Sequence, residues 1–120
     1  MQTPNELLPD GLQMDLLWTN ASPTSAFASQ SIYMDTSRYK MLFIEIAYDT
    51  LNRNFNTVLV IPRKYIRITS LVMGTPSEWE RRDFTCEDDK VIVSTAYKSE
   101  NGSYGENNSV SIPLNIWGIK

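Results

Sequence analysis

Along most of this chain apolar and polar positions alternate with a period of two, and clusters of turn-forming residues break the alternation about every ten residues, the pattern of antiparallel strands. The longest apolar run, Tyr39 to Asp49 (Tyr-Lys-Met-Leu-Phe-Ile-Glu-Ile-Ala-Tyr-Asp), organises the rest. Asp35-Thr-Ser-Arg precedes it and Asn52-Arg-Asn follows it, which is how a central strand is punctuated. Leu42, Ile44, Ile46 and Tyr48 share one face; Met41, Phe43 and Ala47 occupy the other, interrupted by Glu45. A strand that is apolar on both sides suits the middle of a sheet, or a sheet whose second face meets another subunit.

The same reading places further strands at Asp15 to Thr19, Phe27 to Met34, Thr57 to Pro62, Tyr65 to Val72, Trp79 to Cys86, Val91 to Tyr97 and Ser109 to Lys120. The short spacing between the Tyr39 and Thr57 runs predicts a hairpin. On the Tyr65 run, Ile66, Ile68 and Val72 face one way, with Arg67 and Thr69 opposite; Gly74-Thr-Pro-Ser stops it. Trp79 to Cys86 reads as an edge strand, because Glu80, Arg81, Arg82 and Asp83 are costly to bury. Glu87-Asp-Asp-Lys reads as a turn, and the polar, Gly-containing stretch Ser99 to Asn108 as the most flexible surface loop. In the closing run Val110, Ile112, Leu114 and Ile116 share a face, with Pro113 opposite. Nowhere does a helical apolar period persist for three turns. The expected fold is all-β: an antiparallel, jelly-roll-like β-sandwich of seven or eight short strands. Residues 1–13 form an extended arm and 14–120 a single domain, with the apolar runs centred near residues 44 and 93 as neighbours inside the layers.

Composition narrows the function. The 120 residues carry a formal net charge of −3 with 21% charged side chains. The longest basic groups are Arg63-Lys64 and Arg81-Arg82, too short for a phosphate-tracking stripe, so neither nucleic acid nor an anionic membrane is an expected partner. There is no apolar run of about eighteen residues that could span a membrane as a helix. The amino terminus has neither the basic start nor the apolar middle of a secretory signal. The single cysteine, Cys86, excludes an internal disulfide and is expected to be a small buried hydrophobe. These features fit folding in a reducing cytoplasm.

Histidine is absent, which removes Ser-His-Asp and Cys-His sites and the side chain best suited to proton shuttling at neutral pH. No catalytic residue, cofactor or metal site is expected. Glu87-Asp88-Asp89 is the densest carboxylate cluster, but it lacks spaced ligands and a central glycine, and a solvated turn is the plainer reading. A paired-carboxylate glycosidase could use Glu45 with Asp49 or Asp83, although a sandwich of this length rarely leaves a deep cleft for it. The triplets at Asn20, Asn101 and Asn107 are glycan acceptors only in a secreted eukaryotic protein, and read here as loop composition. Aromatic side chains carry more weight, since a ring face stacks on the apolar side of a pyranose while short polar groups take its hydroxyls. Trp18 and Trp117, flanked by apolar strand residues, are expected in the core. Tyr104 is the best candidate contact residue, with Trp79 and Tyr97 as further candidates.

Leu16-Leu17-Trp18-Thr19-Asn20, Ser22-Pro23-Thr24-Ser25-Ala26-Phe27-Ala28 and the closing Ile112-Pro113 with Ile116-Trp117-Gly118-Ile119-Lys120 resemble a small module at the ends of bacteriophage and prophage tail-associated structural proteins. Members open on Leu-Trp-Thr-Asn, pass through a Ser/Thr/Pro loop to a Phe-Ala pair and end on an Ile-Tyr-Gly-Ile-Lys type tail; Trp117 stands here where tyrosine is usual. The resemblance implies a non-enzymatic virion component, made in the host cytoplasm: a tail-fibre or baseplate head, or a decoration module, engaged in assembly or in attachment to a host-surface glycan. Such parts are commonly trimeric and normally carry a stem or anchor, whereas only a dozen residues of arm precede this domain; the arm is the expected contact with other virion proteins. Surplus apolar residues on the Met41 and Phe43 face independently suggest a homo-oligomer, and the resemblance favours a three-fold one. The alternatives are a stand-alone carbohydrate-binding domain of a bacterial system and a small carboxylate hydrolase.

Overall fold

The computed structural model describes residues 13–51, 55–64, 67–75 and 77–120. The arm over residues 1–12, the Asn52-Arg-Asn turn, Tyr65, Ile66 and Pro76 lie outside the described residues. Among the described residues ten strands form, more than the seven or eight expected: β1 (Met14–Thr19), β2 (Gln30–Tyr33), β3 (Met41–Asp49), β4 (Phe55–Val60), β5 (Arg67–Thr75), β6 (Glu78–Glu87), β7 (Lys90–Val93), β8 (Tyr97–Glu100), β9 (Ser103–Glu106) and β10 (Val110–Ile119). They make two antiparallel sheets packed as a sandwich. One has four strands in the order β1-β10-β3-β4; the other has six, β2-β7-β6-β8-β9, with β5 on the remaining edge of β6.

The organising strand is central, as its two apolar faces require: β3 lies between β10 and β4. Leu42, Ile44 and Ile46 point into the core, where they meet Phe84, Val91 and Val93 of the other sheet. The two apolar runs near residues 44 and 93 are therefore neighbours across the layers. Cys86 is buried in the same core, as expected.

Each sheet departs from strict alternation where its packing demands it. In β1 the register shifts between Leu16 and Trp18, a bulge that turns Leu17 and Trp18 both toward the core. Trp18 then meets Phe27 edge-on at 5.8 Å between ring centroids. A second shift between Pro113 and Asn115 breaks the shared face expected for Val110 to Ile116: Pro113 stands opposite Ile46 and is itself buried. Trp117 corrects the expectation of a core tryptophan. Ile116 takes the inward position opposite Ile44, so Trp117 faces outward between Leu16 and Phe43, and its indole N–H donates to the Glu45 carboxylate. Beside it, Gly118 leaves space that the Tyr39 ring fills; a Cβ there would lie 2.5 Å from that ring.

The largest correction concerns β6. It is the centre of the six-stranded sheet, not an edge, and its charged residues are absorbed. Along one side it pairs with β5; along the other it pairs with β7 over Phe84 to Glu87 and with β8 over Trp79 to Arg81. The sheet thus forks at Arg82 and Asp83. Backbone carbonyls converge near the fork, and buried carbonyls need donors. Arg82, 0% exposed, supplies them: its guanidinium donates to the carbonyls of Ser94 (2.9 Å), Val110 (3.3 Å) and Asn108 (3.4 Å). It also lies 5.5 Å from the Phe27 ring centroid.

The expected flexible loop over Ser99 to Asn108 is instead mostly the β8–β9 hairpin, which branches from the fork. Its two-residue turn is Asn101-Gly102, with φ of 52° and 77°, the left-handed pair of a type I′ turn. The strand expected over Val91 to Tyr97 ends at Val93, and Tyr97 opens β8.

Candidate functional site

Three side chains singled out as candidate ligand contacts converge. Trp79 on β6, Tyr97 on β8 and Tyr104 on β9 stand on the outer face of the six-stranded sheet. Trp79, Ser99 and Tyr104 form one transverse row across the three strands. Because the middle residue is a small serine, buried and bonded through its hydroxyl to the Ser77 carbonyl (3.0 Å), the flanking rings close over it to 5.2 Å between centroids. Tyr97, diagonal to Tyr104 across the hairpin, stacks on it at 5.4 Å with the planes 5° apart. Tyr104 remains 56% exposed, so the cluster presents aromatic surface to solvent.

Cross-strand order extends the site toward β5. Arg81 faces Tyr97 on one side and Leu71 on the other, with its guanidinium carbon 5.6 Å from the Tyr97 ring centroid, a cation–π arrangement. Leu71, Met73, Trp79 and Arg81 line a hollow of about 280 Å³. Leu71 and Met73 are 49% and 58% exposed, an unusual amount of apolar surface beside three aromatic rings. Further along the same face the Asp83 carboxylate is taken by Arg67 and Thr69, each at 2.6 Å; these bonds hold its pKa below the usual carboxylate range although burial pushes the other way.

Trp79 also borders a second cleft of about 250 Å³, where Tyr48 and Asp49 of the four-stranded sheet approach Val72, Glu78, Glu80 and Lys98 of the other. Glu80 is the titrating group there. Burial pushes its pKa up to about 7, opposed by Lys98 and reinforced by Asp49. The glycosidase pairs are not assembled: Glu45 is bonded to Trp117 on the outer face of the four-stranded sheet, while Asp83 lies on the outer face of the other. Asp49 accompanies Glu80 rather than Glu45.

The Glu87-Asp88-Asp89 cluster is the β6–β7 turn, and its carbonyls accept hydrogen bonds from Met34 and Thr36. No group of three or more His, Cys, Asp or Glu residues among the described residues is arranged to hold a metal. Asn20 is buried, donating to the Pro113 carbonyl at 2.9 Å, a structural use of the first glycan-acceptor triplet.

Met41 and Phe43 lie on the outer face of the four-stranded sheet. Leu16, Trp117, Phe43 and Leu59 form an unbroken apolar row across it, with Met41 beside Ile119 in the next outward row. Leu16 and Leu59, at its ends, are half exposed. The Glu45 carboxylate, two residues beyond Phe43 on β3, is occupied by Trp117 and by the Asn115 amide.

The sequence reading missed Arg81 as a site residue, along with Leu71 and Met73. The signal was present in the alternation of Trp79-Glu80-Arg81, which sends Trp79 and Arg81 to one face, but reading the segment as an edge strand hid it. No protein-family model, curated protein or solved structure matches this chain.

Proposed function

We propose that this chain is a non-catalytic adhesion module of a phage or prophage tail, whose aromatic face engages a host-surface saccharide. The observation that carries the reading is the convergence of Trp79, Tyr97 and Tyr104 on one exposed sheet face. Ring faces stack on the apolar side of a pyranose at little entropic cost, because each ring is already held by its neighbours. Ser103, Glu106 and Asn107 at the rim offer short polar partners for hydroxyls. The tail-associated setting, and with it the preference for a three-fold assembly, rests on the resemblance of Leu16 to Asn20, Ser22 to Ala28, and Ile112-Pro113 with Ile116 to Lys120 described above; the apolar row through Phe43 supports assembly into a homo-oligomer. The arm is the segment proposed to contact other virion proteins. A stand-alone carbohydrate-binding domain would use the same aromatic face, and differs in remaining monomeric.

The test is a glycan array followed by titration monitored through tryptophan fluorescence. Saccharide binding is expected to perturb Trp79 emission, and Trp79→Ala or Tyr104→Ala is expected to weaken affinity about tenfold or more with the circular dichroism spectrum retained. An array on which the intact chain captures no glycan would overturn the reading.

A further inference from the structure

Building on the saccharide reading above, we infer that the ligand is an acidic saccharide, whose single anionic substituent is held by Arg81 while its ring stacks against Trp79. Arg81 is the cation placed among the apolar and aromatic contacts: it lines the same hollow as Leu71, Met73 and Trp79, and its guanidinium is steadied over Tyr97. One acid, Asp83, feels the charge of Arg81, but both of its oxygens are taken by other donors. Asp83, two residues along the same strand face, is filled by Arg67 and Thr69. Glu106, the cross-strand partner of Tyr97, lies two strands from Arg81. Among the described residues no carboxylate lies within ion-pair distance of Arg81, whereas Arg67 and Arg63 each have one.

A planar fork of donors matches a carboxylate or a phosphate with two parallel hydrogen bonds, which an ammonium cannot do. Set at the rim of an apolar hollow, it selects a molecule with an apolar face and an anionic group a few ångströms away. The chain's net charge of −3 opposes a polyanion, so the fit is to a sparsely charged saccharide. A hexuronate carboxylate and a sugar phosphate share this chemistry.

The experiment is calorimetric titration of the full chain with three matched oligosaccharides: a neutral one, the same chain ending in a hexuronate, and the same chain bearing a phosphate. An acidic form is expected to bind about tenfold more tightly than the neutral one, as for a charge-assisted hydrogen bond. The advantage should shrink in concentrated salt. The arm that shows it identifies the carboxylate or the phosphate as the group recognised. Arg81→Gln is expected to bring the ratio of acidic to neutral affinity close to one, and Arg81→Lys to recover only part of it. Equal affinity for all three in the intact chain overturns the inference and leaves the saccharide reading standing; binding of none overturns both. An acidic preference that survives in Arg81→Gln assigns recognition to another residue and likewise overturns it.

Discussion

Glu80 illustrates how one side chain acquires a property its type does not predict. It follows Trp79 on β6 and so points to the other side of the sheet, into the cleft shared with Asp49 and Lys98. Burial raises its pKa from 4.5 to about 7. The folded chain therefore holds this proton more tightly than the unfolded chain does. The associated stabilisation is full below the unfolded value and is lost as pH rises through about 7. Glu80→Gln keeps the shape and removes the titration. The melting temperature of this variant is expected to match the parent near pH ~4 and to exceed it by a few degrees near pH ~8. A parent-like pH profile in the variant would contradict this account. The carboxyls of Asp15, Asp35 and Asp83 are shifted downward, so they lose their contributions only as pH falls toward the acid range, outside this window.

At the scale of elements, the fork in the six-stranded sheet decides what β6 can carry. Charged residues are costly to bury, and that rule is what makes Trp79 to Cys86 look like an edge strand in the sequence. It fails here because the carbonyls of Ser94, Asn108 and Val110 converge at the fork and Arg82 donates to all three, joining the Phe27 N–H on Asn108. Those acceptors come from segments up to 28 residues away, so local alternation holds no trace of them. Burial brings the Arg82 pKa down to about 10, which still leaves it charged at neutral pH. Arg82→Met is expected to cost about 3 kcal/mol in urea denaturation, since it removes the guanidinium donors to the Ser94 and Val110 carbonyls while the Asn108 carbonyl keeps the Phe27 N–H. Arg82→Lys should recover little, because one ammonium cannot span three divergent carbonyls. A near-neutral Arg82→Met would show that water replaces the guanidinium at the fork. The β8–β9 hairpin, by contrast, is legible in Asn101-Gly102, a strong two-residue hairpin signal that reading Ser99 to Asn108 as a flexible loop passed over.

For the whole molecule, strand existence and the faces of β3 could be read from the sequence, but the division into sheets could not, because period-two alternation fixes faces and leaves pairing open. The aromatic candidates were nameable one by one; only the cross-strand order Trp79-Ser99-Tyr104 brings them together. That division gives the sandwich two unlike outer faces. One mixes aromatic rings with Arg81, Asp83 and Glu106. The other presents the apolar row Leu16-Trp117-Phe43-Leu59 beside a carboxylate already bonded within the chain. The second is the face expected to associate. Light scattering should give the mass of a homo-oligomer at micromolar concentration, and Phe43→Glu should reduce it to that of a monomer, since a charge at the centre of an apolar contact is desolvated without a partner. A parent chain that is already monomeric would remove the assembly proposal and leave the aromatic face untouched.

The bulge in β1 ties these two faces to a single short strand. Ahead of it Leu16 belongs to the exposed row; behind it Trp18 belongs to the core, although the two are separated by an even step that would ordinarily keep them on the same side. One supernumerary residue, Leu17, thus works as a half-period phase change, letting six residues seal the interior and furnish the exterior at once. Deleting it would force a choice between the two, so surface and interior cannot diverge independently at this edge of the sandwich.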